Sequence, residues 1–401
     1  MSAIQSAAIA GRAEAGSPSS LLRARNIFGA LGIIGVVVGL IMAFSGATSF
    51  FESWLYAFLT WFGAALGCFV LLTVVHMAGG SWGSMIMRPL EAGVATLPLL
   101  AVLFIPLLFG IGDLYPWSNA EYVAAEPLVG AKAGMLNTPF FIVRSILYFV
   151  IFILGGTMLL KGSDRADGDP SGKLWMRLKG ISPAWLAIYI MVMTFAAFDW
   201  GMSLTPAWFS GIYPTILMAG QAVMGMALMI LFTVFLAGFH RDYKELLTAK
   251  RLQDLGNFLM AFLMFWAYVH VSQLMIIWSN NTMETSGFYV SRLTGGWEPV
   301  SMLLVAFGFF APFVILFSRW VKQKRFALTV VALWAVAVRM LDMYWLIIPS
   351  FGREGAEFRW LDIILMLGMG GIWVAYFLHR LASRPLLPGN DPRLKEAGIG
   401  H

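Results

Sequence analysis

Arg144, His270, Arg339 and Asp342 sit inside otherwise apolar helical runs, and Asp199 closes another, so five groups that hydrocarbon rejects recur in a chain dominated by apolar residues. A charge near the middle of a bilayer costs about 2.5 kcal/mol or more, so such residues face a protein interior, a watery cavity or a partner charge. At a rise of 1.5 Å per residue from the outer end of each run, Arg144, Asp342, Arg339 and His270 lie about 7 to 13 Å deep, with Asp199 close to the surface. The chemistry open to such a set is proton transfer, or recognition of a polar headgroup, at one level on one side of a membrane. Arg339 and Asp342 are three apart on one helix face and can also neutralise each other, which is the purely structural alternative. His270, in FWAYVHVSQLMIIW, supplies a titratable imidazole, and Gln273 adds an amide expected on the same face. Its plainer role is a hydrogen bond between helices. Asp199 reads equally well as a helix-end carboxylate among headgroups.

The elements that must position these groups are membrane spans. Apolar residues make up 59% of the chain and charged residues only 12%, outside the range of soluble globular domains. Mean hydropathy is +0.78. Runs of about 20 apolar residues, the length that crosses about 30 Å of hydrocarbon, recur ten times. They are expected at 26–44, 54–77, 93–112, 140–160, 184–201, 214–238, 254–278, 298–318, 326–347 and 360–379. The fold class is therefore an all-α integral membrane protein. Residues 1–25 form a disordered cytoplasmic tail, 26–381 a single membrane domain, and 382–401 a cytoplasmic C-terminal tail.

Charge asymmetry orients the chain. Both termini and the even-numbered loops carry about 21 Lys and Arg, against about 4 in the other loops, Lys132, Arg292, Arg353 and Arg359, so both termini are expected to be cytoplasmic. The net charge of +6 reflects this bias, and no nucleic-acid recognition fold accompanies it. Residues 161–180, polar and rich in Gly, form an expected mobile cytoplasmic connector. The long outer loop, 113–138, has the size and polarity either of a contact for an extracytoplasmic partner or of an ordinary exposed loop. Toward the cytoplasmic end only His76, Asp254 and Asn257 are expected as polar groups, so the pattern describes an outer half-channel rather than a continuous proton path.

Redox-metal ligation by the chain itself is not expected. Cys68 is the one cysteine, too few for a disulfide or an iron-sulfur cluster. His76 falls near the cytoplasmic end of its span while His270 is about 24 Å from the cytoplasmic end of its own, so the two imidazoles cannot share one haem iron.

The stretches AAFDWGMSLTPAWFSGIYPTILMAGQ (196–221) and DLGNFLMAFLMFWAYVHVSQLMIIWSNNTMETSGFYVSRLTGGW (254–297), with LYPW at 114–117, resemble the ActF subunits of bacterial alternative complex III, related to the NrfD/PsrC-like quinol-interacting membrane proteins. The resemblance implies two four-helix bundles, spans two to five and six to nine, with one flanking helix at each end. It further implies a quinol:cytochrome c oxidoreductase in the bacterial cytoplasmic membrane, with quinol as a ligand. Iron-sulfur clusters and c-type haems would lie on partner subunits, beside an NrfD-like companion, and membrane lipids would surround the chain. Two other classes remain open from the residues: a proton-coupled secondary transporter, and a purely architectural subunit.

Overall fold

In the computed structural model, the structure describes residues 18–44, 49–78, 80–280, 282–353 and 355–388. Every regular element among them is helical. Ten helices are long and apolar enough to cross a membrane: α1 (Ser20–Ala43), α2 (Phe50–Met77), α3 (Trp82–Phe109), α4 (Thr138–Asp167), α5 (Lys173–Leu204), α6 (Tyr213–Ala237), α7 (Ala249–Asn280), α8 (Glu298–Phe317), α9 (Arg325–Phe351) and α10 (Trp360–Ala382). The chain is an all-α, multi-pass membrane protein. Below, the odd-loop face is the one that carries the connections after α1, α3, α5, α7 and α9; it corresponds to the expected outer side.

Three expected boundaries move. The first helix begins at Pro18, so residues 18–25 of the expected tail are helical; 1–17 and 389–401 lie outside the described residues. The third span starts well before residue 93, with one helix from Ser81 to Val94 followed by another from Leu97 to Phe109. Hydropathy misses its first half because that half contains Arg88 and Glu91, which neutralise each other at 2.6 Å. The expected mobile connector shrinks to a turn, since α4 runs to Asp167 and α5 begins at Lys173. Asp169 ties that turn down by accepting from the Ser171 hydroxyl and amide and from the Leu174 amide, bonds that hold its carboxyl below the usual carboxylate range.

Two rings of four organise the spans. Helix α2 packs on α3 and α5, and α4 closes that ring; α6 packs on α7 and α9, and α8 closes the second. The rings meet along α2 and α6. A Cβ at Gly67 would lie 2.1 Å from the Gln221 carbonyl oxygen, and one at Gly225 would lie 2.7 Å from the Gly67 carbonyl carbon, so the two backbones are in direct contact. Small residues permit such approach where lipid supplies no hydrophobic drive for association. Helices α1 and α10 pair with each other rather than standing at opposite ends, through Gly32 and Gly35 against Gly368 and Gly371, and α10 rests on α2. Replacing Gly67 with Ala should cost about 1–3 kcal/mol through overpacking against backbone that cannot rotate away. Thermal unfolding in mild detergent reads this; an unchanged midpoint would mean that the seam between the rings can slide.

Candidate functional site

In the second ring, three expected residues come together. Arg339 and Asp342, one turn apart on α9, pair at 3.1 Å through Nη1 and Oδ2, and both are nearly fully buried. The Trp266 indole on α7 donates to the same Oδ2 at 3.1 Å, and the Arg339 guanidinium lies 3.8 Å over the Trp266 ring. Gly308 on α8 lies against this arginine and Val338, where a Cβ would come within 3.2 Å of Val338 Cγ1. His270, one turn beyond Trp266, points its Nε2 at Asp342 Oδ1 from 3.6 Å. That gap is too long for a hydrogen bond, and among the described residues neither atom has another partner. Buried polar atoms are nearly always satisfied, so two facing orphans set this place apart from the rest of the interior.

These atoms form the floor of a cavity of about 210 Å³ between α7, α8 and α9. Its walls are apolar, from Leu274, Leu304 and Phe309, with Trp345 and Tyr289 closing the odd-loop end. The Tyr289 hydroxyl is buried and also lacks a partner among the described residues. Val271, Val305 and Phe310 at the rim are more than half exposed, so the cavity opens sideways, where acyl chains would lie, rather than toward water. Helix α8 shapes that opening. Its middle, Leu304–Phe310, is π-helical, and the stretch contributes Leu304, Val305, Phe309 and Phe310 to the lining. Such stretches are rare and concentrate at functional sites. The widened turn is supported by the Trp334 indole, which donates to the Phe307 carbonyl at 2.8 Å.

Arg144 and Asp199 belong to the first ring instead. Arg144 donates from Nε and Nη2 to the two Asp199 oxygens at 2.7 and 2.8 Å, and the Tyr148 hydroxyl donates to Oδ2 at 2.7 Å. No hydrogen bond or ion pair among the described residues joins this group to His270, Arg339 and Asp342. The five residues expected to share one cavity therefore form two groups, and the second borders the cavity described above. Bidentate pairing plus a tyrosine leaves Asp199 satisfied, as a structural tie between α4 and α5 would be.

The two rings repeat one design, which sequence inspection missed. Near the odd-loop end of α5, Trp200 donates to the Ser145 hydroxyl on α4 at 3.0 Å, and its carbonyl accepts from Tyr115 in the loop before α4. At the matching place on α9, Trp345 donates to Ser301 on α8 at 2.7 Å, and its carbonyl accepts from Arg292 in the segment before α8. What surrounds the indole differs. Phe58, Phe62, Phe104 and Phe149 all lie within 6.0 Å of the Trp200 ring and fill the first ring. Trp345 instead has His270 at 6.1 Å and Tyr289 at 6.2 Å, beside the cavity. One copy of the design is packed solid; the other is hollow and polar-floored.

Other expected residues lie elsewhere. Gln273 accepts from the Ser210 hydroxyl at 2.7 Å, fastening the loop after α5 rather than joining His270. His76 shares a hydrogen bond with Ser182 at 3.1 Å, and Asp254 is half-buried near the even-loop end of α7. Contrary to expectation, the even-loop half is not poor in buried charge. Arg88 bonds Glu91 and Asp167, Ser163 donates to Glu91 at 2.5 Å, and Arg384 reaches Glu91 at 3.5 Å and Asp164 at 2.8 Å. The opposite charges three residues apart at 88 and 91 were the available signal. Arg292, read from sequence as a loop cation, is 1% exposed and donates to the carbonyls of Trp345, Leu346 and Phe288, satisfying backbone groups where α9 leaves α-helical geometry. Burial pushes its guanidinium down to about 9, leaving it cationic at neutral pH. On the odd-loop face Arg353 binds Glu52 and Asp362, both at 2.7 Å. Among the described residues no cluster of three or more His, Cys, Asp and Glu side chains could hold a metal ion. No protein-family model matches this chain, and no curated protein matches it either.

Proposed function

We propose that the cavity between α7 and α8 receives the headgroup of a quinol, and that the chain is a membrane subunit of a quinol:cytochrome c oxidoreductase of the alternative complex III type. It would lie in the bacterial cytoplasmic membrane with both termini on the cytoplasmic side. The observation that carries this reading is the pair of facing, unbonded atoms, His270 Nε2 and Asp342 Oδ1, at the floor of an apolar, laterally open cavity. Pockets for small lipophilic ligands have this form, mostly apolar walls with a few convergent polar groups. A phenolic hydroxyl seated there donates to Asp342 Oδ1, and its oxygen accepts from His270 Nε2–H. Oxidation of a quinol to a quinone releases two electrons and two protons. Asp342 and His270 are the nearest groups able to take protons, and their place toward the odd-loop face favours release to that side, as an outer half-channel would. Arg339 engages Asp342 through Oδ2 and so leaves Oδ1 turned toward the cavity. Electrons pass to redox centres on an iron-sulfur subunit and c-type cytochromes, alongside an NrfD-like companion. No redox step is assigned to a residue of this chain.

Two rings of like design also suit a secondary transporter, whose repeats rock about a site between them. The seam here weighs against it, because α2 and α6 touch backbone to backbone at Gly67 and Gly225, and the cavity beside Thr60, Gly63 and Gln221 holds only about 20 Å³. Purification from a native host in mild detergent separates the readings. The polypeptide is expected to comigrate with c-type haem absorbance and with quinol-dependent cytochrome c reduction. Isolation as a colourless species that takes up solute in liposomes would contradict the proposal.

A further inference from the structure

We infer that the groove where α3, α4 and α10 meet, toward the even-loop face, binds the headgroup of an anionic phospholipid. The groove encloses about 330 Å³. Lys161, Arg380 and Arg384 line it against one carboxylate, Asp164, so two positive charges are left uncompensated within it. Arg384 is held in place by Asp164 at 2.8 Å and Glu91 at 3.5 Å. Lys161 and Arg380 make no ion pair among the described residues, and both are accessible. The lining also changes character with depth. On α4 it passes from Lys161 and Asp164 to Ile153, about 12 Å along the axis, and on the neighbouring helix it continues with Leu97 and Pro98. Charged groups at one end and apolar walls below match a phosphate joined to acyl chains, and a small soluble anion would leave the apolar half unused. Basic pockets between spans are a recurrent way of holding acidic lipid headgroups. A zwitterionic lipid is disfavoured because its ammonium would be brought toward Lys161 and Arg380.

Outside the groove's lining, the buried Arg88 and Glu91 pair braces Arg384 from an adjoining pocket. Because Glu91 already bonds Arg88 and Ser163, Arg384 is oriented before any lipid arrives, which lowers the ordering cost of binding. This inference is independent of the quinol reading, since the two sites share no residue.

Native mass spectrometry of the full-length chain, released from detergent containing equal parts phosphatidylglycerol and phosphatidylcholine, tests it. The expected result is preferential retention of phosphatidylglycerol. Lys161→Gln combined with Arg380→Gln should reduce that retention about thirtyfold, two basic contacts' worth, while Lys161→Arg combined with Arg380→Lys keeps it. Arg165→Gln with Arg177→Gln, which remove cations from the neighbouring groove between α4 and α5 but keep the Lys161 that lines both grooves, should leave it unchanged. Equal retention of the two lipids, wild-type binding by the first variant, or an equal loss in the control would overturn the assignment. Displacement by inorganic phosphate would do the same, by giving the site to a soluble anion.

Discussion

Replacing Asp342 with Leu should destabilise the protein by about 3–5 kcal/mol, because the Arg339 guanidinium then stays buried beneath Trp266 with no counter-charge. Among the described residues Asp342 is the one counter-charge paired with Arg339, so removing one partner is far worse than removing both. The double variant Arg339→Met, Asp342→Leu should therefore recover most of that loss, since apolar residues of similar volume commonly replace a buried pair without penalty. Quinol-dependent turnover should remain lost in the rescued protein. Unfolding in mild detergent gives the stability arm, and turnover in the assembled complex gives the other. A double variant as stable and as active as wild type would reduce Arg339 and Asp342 to a self-neutralising pair.

Ala267→Phe acts on the same cavity without touching its polar floor. Ala267 is buried in the wall, one turn before His270, so a phenyl group there projects into the space of about 210 Å³. Filling an existing hollow avoids most of the strain of overpacking, and stability should change by less than about 1.5 kcal/mol. Affinity for a quinol analogue should nevertheless fall at least about tenfold, as the headgroup and the ring compete for one volume. Titration of the analogue against wild-type and variant complexes reads the difference. Unaltered affinity in a normally folded variant would put the ligand somewhere else.

Span number and ring organisation were accessible before any coordinates, the first from the length of apolar runs and the second from a resemblance in two long stretches. The failures are physical. Arg88 and Glu91 made the third span look shorter because hydropathy adds residues singly, whereas an ion pair enters the membrane as a unit. Depth can be counted along each helix, and by helix bounds Arg144, Asp199, His270, Arg339 and Asp342 all lie nearer the odd-loop ends of their spans. Azimuth could not be counted. Which side of a helix meets which neighbour is decided by packing, and packing sends Arg144 to Asp199 in the first ring and His270 to Asp342 in the second. The same cause separates Gln273 from His270: residues three apart diverge in direction enough for one to face the cavity and the other Ser210. The π-helical stretch of α8 left no trace in LVAFGFF, since an extra residue in a turn changes no hydrophobic period over so short a segment.

A density map of the native complex with a quinol analogue bound compares the sites within one molecule. The headgroup is expected between α7 and α8, within hydrogen-bonding distance of both His270 Nε2 and Asp342 Oδ1, with its tail passing Val305 and Phe310 into lipid. Density for an acyl chain alone in that cavity, with the analogue lodged on the companion subunit or beside Arg144 and Asp199, would contradict the reading.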